Sequence, residues 1–165
     1  MSRSPIESRE VIIHLQAQLA SLLGLRDVLA EQDDAVEASD PQRVLDAVAE
    51  LRVQLAGRVQ IETEREQLLG KWSALLDCLP EEISAGRLAE LDPANGSEIR
   101  KLSADIHTEA LRVQSMHAQV QERLRSELNF VSCLVDALYP PTNAGGYSVS
   151  GPAQPKVPMA LDVRG

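Results

Sequence analysis

The nine prolines divide the chain into parts that can be helical and one part that cannot. A proline inside a helix costs roughly 3 kcal/mol or more, so prolines outside apolar repeats indicate where helices begin and end. Five prolines and four of the nine glycines lie within the last 27 residues. We therefore expect a helical domain over residues 1–138 and an extended Pro/Gly-rich tail over residues 139–165. The four boundary prolines are Pro5, Pro41, Pro80 and Pro93.

The first predicted helix covers about Ile6–Ala38, where apolar residues recur at spacings of three and four. This spacing places them on one face of a helix, which buries against another helix. Arg26 and Asp33 occupy the two gaps in the repeat. The apolar residues of this face are Ile12, Leu15, Leu19, Leu22, Leu29 and Val36.

A very short segment connects the first predicted helix to the second. Ser39 or Asp40 can accept hydrogen bonds from the backbone amides in the first turn of the second helix, and Pro41 suits the first position of that helix. So short a connection predicts that the two helices are antiparallel neighbours. The second helix is expected to end near Cys78, with a bend or loose packing in its charged middle section, residues 60–67. Its apolar residues are Val44, Val48, Leu51, Leu55, Ile61, Leu68, Trp72, Leu75 and Leu79.

The third long helix is expected to begin at Pro93 or after Ser97 and to end at Leu138, and residues 79–91 hold at most a short helix. At 1.5 Å per residue the third helix is about 60 Å long, so the second helix, at about 55 Å, covers only part of it. Aromatic residues make up only 2% of the chain, although 44% is apolar. A thin interface between helices needs little aromatic volume. The sequence therefore predicts an all-α fold, an antiparallel bundle or coiled coil of three long helices.

The charge of the chain disfavours several classes of partner. The net charge is −9, whereas binding to nucleic acid or to an anionic membrane surface requires a basic face. No apolar stretch approaches the roughly 20 residues that span a bilayer, and the N-terminus has no apolar run of the kind found in signal peptides. Cys78 and Cys133 lack a CxxC pattern, which favours two free thiols. We expect a cytoplasmic protein without membrane insertion.

The sequence offers no persuasive catalytic site. The three histidines, His14, His107 and His117, lack the partners that a zinc or di-iron site requires, and no Gly-rich phosphate loop is present. One enzymatic alternative is a small helical mutase that binds a dianion through Arg26 and Lys71. An arginine at the edge of an apolar face, however, commonly lays its aliphatic stem on that face and keeps its guanidinium group in water. We expect no enzyme activity, no cofactor and no metal.

The end of the third helix is apolar on more than one face. Leu124, at the start of this region, and four later residues are expected to continue the intramolecular face. A second apolar face lies beside it, so the segment needs two partners or exposes an apolar patch. Two alternatives stand: both other helices pack there, or the face binds an amphipathic helix of another protein. The continuing face contains Leu128, Val131, Val135 and Leu138, and the adjacent face contains Phe130, Leu134 and Ala137.

Three segments of the chain resemble the FlgN family of flagellar export chaperones. The first is the hairpin LLGLRDVLAEQDDAVEASDPQRVLDAVAE, and the second is SELNFVSCLVDAL near the end of the last helix. The third is the tail sequence GYSVSG, which is similar to a Tyr-x-x-x-Gly element of the family and is followed by LDVRG. The chain departs from the family in its Ala-rich, Lys-poor second helix and its longer proline-rich tail.

The resemblance implies a binding protein rather than an enzyme. Its cargo would be the hook-filament junction proteins of the FlgK and FlgL type, whose C-terminal helices it would hold until delivery to the flagellar type III export gate. On this hypothesis Tyr147 contacts the export gate. A structural coiled-coil subunit that associates with itself is the alternative, and a homodimer stays open. The residues expected to bind cargo are Leu124, Leu128, Phe130, Val131, Leu134, Val135 and Leu138.

Overall fold

The computed structural model describes residues 8–139, and these residues form an all-α structure, as the sequence predicts. The four helices are α1 (Ser8–Glu37), α2 (Pro41–Leu76), α3 (Ala85–Leu91) and α4 (Gly96–Leu138). A 3₁₀ turn, Pro80–Glu82, lies between α2 and α3. Within residues 8–139 there is no strand. The predicted end of α1, both ends of α2 and the start of α4 are therefore confirmed to within a few residues, and the predicted start of the first helix near Ile6 lies outside the described residues.

The connection between α1 and α2 forms as the capping argument predicts. The side chain of Asp40 accepts hydrogen bonds from the backbone amides of Gln42 and Arg43, both at 3.1 Å, and Pro41 occupies the first turn. Ser39 adopts a left-handed conformation with φ 51°, which reverses the chain. α2 therefore returns antiparallel to α1.

Two interhelical ion pairs at opposite ends of the hairpin establish this direction. Arg43 contacts Glu31 at 2.7 Å beside the connection, and Lys71 contacts Glu10 at 2.6 Å at the other end. The guanidinium of Arg43 has its pKa raised, mainly by the hydrogen bond to Glu31 and the charge of that carboxylate. Both pairs are solvent-exposed, so they define the register and add little to stability.

Removal of the Asp40 cap is expected to destabilise the chain. Asp40→Ala leaves two first-turn amides without their acceptor, which costs about 1 kcal/mol, and should lower Tm by about 2–4 °C. Thermal unfolding followed by circular dichroism measures the change. Asp40→Asn is the control, because an asparagine caps as well as an aspartate. Equal losses for the alanine and asparagine variants would contradict the capping role.

α1 lies between α2 and α4 and packs against both. Arg26 contacts Glu109 at 3.5 Å, and Asp33 contacts Arg123 at 3.2 Å, so α1 and α4 run in the same direction. The two charged residues that interrupt the apolar face of α1 thus each meet an opposite charge on α4. Because α1 has helices on two sides, more of its residues are buried than the predicted face contains. These are Val11, Ile12, His14, Leu22, Leu25, Leu29, Gln32, Ala35 and Val36, with Ser8 at the helix start.

The expected antiparallel bundle or coiled coil of three long helices is not confirmed. In the described residues α2 has no extensive contact with α4, and only Ala47 and Trp72 of α2 are buried. Leu55 and Leu75, both predicted to lie in its apolar face, are 49% and 63% exposed. α2 nevertheless continues without interruption through its charged middle section. The arrangement is closer to a layer of helices with α1 in the centre.

The chain reaches the start of α4 through the 3₁₀ turn and α3. The N-cap of α3 is Ser84, whose hydroxyl oxygen accepts from the amide of Arg87 at 3.1 Å. α3 packs against the beginning of α4, and Ile12 of α1, Ala89 of α3 and Ile99 of α4 form a buried cluster. This cluster places the start of α4 beside the start of α1.

Candidate partner-binding surface

The last part of α4 extends beyond the rest of the helical layer. Arg123 contacts Glu37, the final residue of α1, at 3.3 Å, and α2 begins at Pro41 on the other side of the connection. Beyond this level every residue from Arg125 to Tyr139 is exposed. We call this segment, residues 125–139, the overhang. At 1.5 Å per residue it is about 22 Å long.

One side of the overhang is polar and the remainder is mainly apolar. The polar side carries Arg125, Asn129, Ser132 and Asp136, which lie at spacings of four and three. The apolar side chains cover about 200° of the helix circumference at 100° per residue. Their exposed fractions are 66% for Leu128, 60% for Phe130, 53% for Val131, 45% for Leu134, 50% for Val135, 71% for Leu138 and 77% for Tyr139.

The structure brings most of the predicted cargo-binding residues together on this segment. Leu124, half-buried, marks its beginning, and the other six helical candidates are all exposed on it. The prediction that Leu128, Val131, Val135 and Leu138 continue the intramolecular face is wrong. α1 ends at the level of Arg123, so no helix of residues 8–139 lies alongside them. For the same reason α1 and α2 do not both pack there. Tyr147 lies outside the described residues, as do residues 140–165 of the predicted tail.

The residues of the enzymatic alternative are not brought together. Arg26 pairs with Glu109, whereas Lys71 pairs with Glu10, 16 residues earlier on α1. Sixteen helical residues correspond to about 24 Å. Cys78 and Cys133 are free thiols, the first half-buried and the second exposed. Among residues 8–139 no three His, Cys, Asp or Glu side chains are grouped closely enough to hold a metal ion.

Sequence reasoning missed a second feature, a cleft between α1, α2 and α3. It has a volume of about 230 Å³, and its lining includes His14, Leu15, Leu68, Trp72 and Leu88. We call it the Trp72 cleft. The sequence signals were weak, because His14 is the one polar residue in a run of apolar positions at the start of α1. Only the return of α2 and the placement of α3 bring these residues together.

The environment of His14 lowers the pKa of its imidazole from the usual value of 6.5. Burial is the main cause, because it disfavours the charged ring. Glu64 and Glu62 act in the opposite direction, and Arg65 lowers the pKa further. The ring lies 3.0 Å, Nε2 to Nε2, from the side-chain amide of Gln18. His14 is therefore held neutral at neutral pH.

Stability is expected to decrease as the pH falls below 6.5, in part because of His14. The unfolded chain binds a proton near pH 6.5, whereas the folded chain binds it only at the lower pKa of the buried ring. The free energy of unfolding is thus highest above pH 6.5 and decreases below it. Urea unfolding at about pH 7.5 and about pH 5.5 measures the difference. His14→Leu should show a smaller decrease than the unmodified chain. The same decrease in both would contradict a contribution from His14.

No segment of the described helices is long and apolar enough to cross a membrane. Comparison of the chain with protein-family models, with curated proteins and with solved structures finds no match.

Proposed function

We propose that this protein is an export chaperone of the FlgN type. It would hold the C-terminal amphipathic helices of hook-filament junction proteins in the cytoplasm and deliver them to the flagellar type III export gate. The observation that carries the proposal is the overhang, an apolar helix end with no partner within the described residues. The sequence resemblance supplies the class of cargo.

The chemistry of the overhang suits a partner that is itself an amphipathic helix. Helices recognise each other through apolar side chains at spacings of three and four, as Leu128, Val131, Val135 and Leu138 are arranged. An apolar side of about 200° is wider than one helix covers, so two helical segments of the cargo can pack on it. Arg125, Glu127 and Asp136 are the only charged residues of the overhang, and none lies within residues 128–135.

Release of the cargo requires moderate affinity, and the structure of the overhang is compatible with this. A segment of about 22 Å offers a limited contact area, since stable interfaces bury roughly 800 Å² on each partner. Holding and release need no bond to be made or broken. The proposal therefore assigns no catalytic residue, no cofactor and no metal.

The proposal is tested by co-expression with the C-terminal segment of a junction protein from the same genome, followed by size-exclusion chromatography. We expect a stable co-eluting complex. Truncation after Leu124 should abolish the complex and preserve the helical layer, because residues 125–139 are all exposed. Separate elution, with the chain forming a tight oligomer through α4, would instead support a structural coiled-coil subunit.

The contact with the export gate is a separate part of the proposal. It rests on the resemblance of the sequence around Tyr147 to the Tyr-x-x-x-Gly element of the family. A chain truncated after Leu138 should keep its cargo and lose binding to the isolated gate protein in a pull-down. If the truncated chain still binds the gate protein, the assignment of Tyr147 is wrong.

A further inference from the structure

The apolar side of the overhang is uncovered within the described residues, and the tail of the same chain begins where the overhang ends. Seven of its large apolar side chains are between 45% and 77% exposed. A contiguous exposed apolar patch of this kind marks a surface that contacts something. The 26 residues from 140 to 165 lie outside the described residues and follow directly after Tyr139. One candidate occupant of the overhang is therefore attached to its end.

The last part of the tail has an apolar residue at every second position. In an extended chain alternate side chains lie on the same side, so residues 157–163 have one apolar side. We call these seven residues the tail segment. Pro155 and Pro158 suit an extended backbone and disfavour a helix interior. The apolar residues of the tail segment are Val157, Met159, Leu161 and Val163.

The lengths of the tail segment and of the overhang match. An extended segment of seven residues is about 20 Å long, and the overhang is about 22 Å long. The tail segment is joined to Tyr139 through a linker of 18 residues. A linker of this length spans at most about 60 Å and on average about 23 Å. The tail segment therefore reaches the whole of the overhang.

A short linker also makes a weak contact sufficient. It gives the attached segment an effective concentration on the order of 1 mM. A dissociation constant on the order of 0.2 mM then keeps the contact formed in about 80% of the molecules. Burial of four apolar side chains against an apolar helix face is the kind of contact that supplies such an affinity.

Charge favours the tail segment over a second copy of the chain as the occupant. Glu127 precedes Val131 by four residues and Leu134 by seven, so it shares the apolar side of the overhang. Lys156 precedes the tail segment and Arg164 follows it. One basic residue therefore reaches Glu127 in whichever direction the segment runs. A second copy brings a net charge of −9 towards an equal charge, which opposes association.

We propose that the tail segment folds back and packs in an extended conformation along the apolar side of the overhang of its own chain. The contact covers the apolar patch of the free protein. A partner of the overhang then displaces the tail segment when it binds. The contact itself does not depend on the proposed chaperone function.

The single phenylalanine of the chain, Phe130, allows a direct test. Its ring lies on the apolar side of the overhang and is 60% exposed when the tail segment does not cover it. In the full-length protein labelled with 4-fluorophenylalanine, the one ¹⁹F resonance reports on this ring. The difference in its chemical shift between H₂O and D₂O increases with the exposure of the ring to solvent. Leu161→Asp should raise this difference about 2-fold, because an aspartate in the contact buries a charge without a partner and releases the segment.

Ala160→Asp is the matched control. It adds the same charge at the neighbouring position, on the opposite side of an extended segment, and should leave the ¹⁹F isotope shift unchanged. All values should be independent of protein concentration, since the contact lies within one chain. Equal isotope shifts for the unmodified chain and Leu161→Asp would overturn the proposal. A shift that changes with protein concentration would assign the surface to a second copy and overturn it as well.

The effect on cargo rests on the proposed function. The C-terminal segment of a junction protein should bind Leu161→Asp about 5-fold more tightly than the unmodified chain, because the overhang is then free in all molecules. Ala160→Asp should bind it with unchanged affinity. Failure of both variants to bind the cargo, with the expected ¹⁹F result, would contradict the chaperone function and support the contact. Equal cargo affinities of the two variants would overturn the competition between tail segment and cargo.

Discussion

Leu134→Asp together with Val135→Asp is expected to abolish cargo binding and leave the helical layer folded. Leu134 and Val135 lie in the middle of the overhang and are 45% and 50% exposed in the free chain. In a complex with an apolar helix, each aspartate would bury a charge without a partner. Central anchor residues of interfaces contribute about 2 kcal/mol or more each, so the double substitution should weaken binding at least about 100-fold. Isothermal titration calorimetry with the C-terminal segment of a junction protein measures this change.

A second pair of aspartates in the same segment provides the control. Asn129→Asp with Ser132→Asp adds the same two charges on the polar side of the overhang. These changes should alter the affinity by less than about 3-fold, because surface charges at an interface rim contribute little. Neither pair should lower the stability of the layer by much, since substitutions at exposed sites cost about 0.5 kcal/mol or less. Equal effects of the two pairs on binding would show that the apolar side does not hold the cargo.

Gly96→Ala is expected to cause a large loss of stability. A Cβ atom on Gly96 would lie against the backbone carbonyl of Ala89, closer than real atoms approach. Backbone cannot rotate away as a side chain can, so α3 must shift from α4. That shift disturbs the buried cluster of Ala89, Ile99 and Ile12. Overpacking of this kind costs about 1–3 kcal/mol, and we expect the upper end, with Tm about 10 °C lower.

A glycine-to-alanine substitution at position 57 should instead raise the stability of the chain. Gly57 lies within α2, and a Cβ atom there would meet nothing within 4 Å. Gly57→Ala should therefore stabilise the chain by about 0.5–1 kcal/mol, because alanine is the better helix former and restricts the unfolded chain. Urea unfolding of both variants gives the two free energies. A Gly96→Ala variant as stable as the unmodified chain would mean that α3 does not pack closely on α4.

The helix boundaries could be predicted because their causes are local. Asp40 caps α2 by accepting from amides two and three residues later, Pro41 begins the helix, and Ser84 caps α3 through an amide three residues later. The apolar face of α1 could be predicted as well, since four of its residues are buried: Ile12, Leu22, Leu29 and Val36. Which helices pack against each other could not be predicted as well. The apolar residues of α2 indicate a buried face, but Leu55 and Leu75 remain exposed because α2 packs against α1 and has no extensive contact with α4.

The candidate binding surface was predicted in part. Composition alone identified the end of α4 as apolar on two faces, and the two alternatives for it could not be separated from the sequence. The ion pairs between α1 and α4 decide between these alternatives, because they fix how far α1 extends along α4. Because Arg26 meets Glu109 and Asp33 meets Arg123, the end of α1 falls at Arg123, and residues 125–139 beyond it are all exposed. The Trp72 cleft was not predicted at all, since His14 and Trp72 are 58 positions apart and each is unremarkable in its own helix.

The sequence by itself determined the all-α class, the lengths of the helices and the apolar composition of the end of α4, because periodicity, capping and proline act over a few residues. The tertiary structure alone decided which apolar residues are covered, where the overhang begins and which residues line the Trp72 cleft. Burial depends on the register between helices, and that register comes from contacts between residues about 60 to 90 positions apart, such as Glu10 with Lys71 and Asp33 with Arg123. No local pattern contains that information.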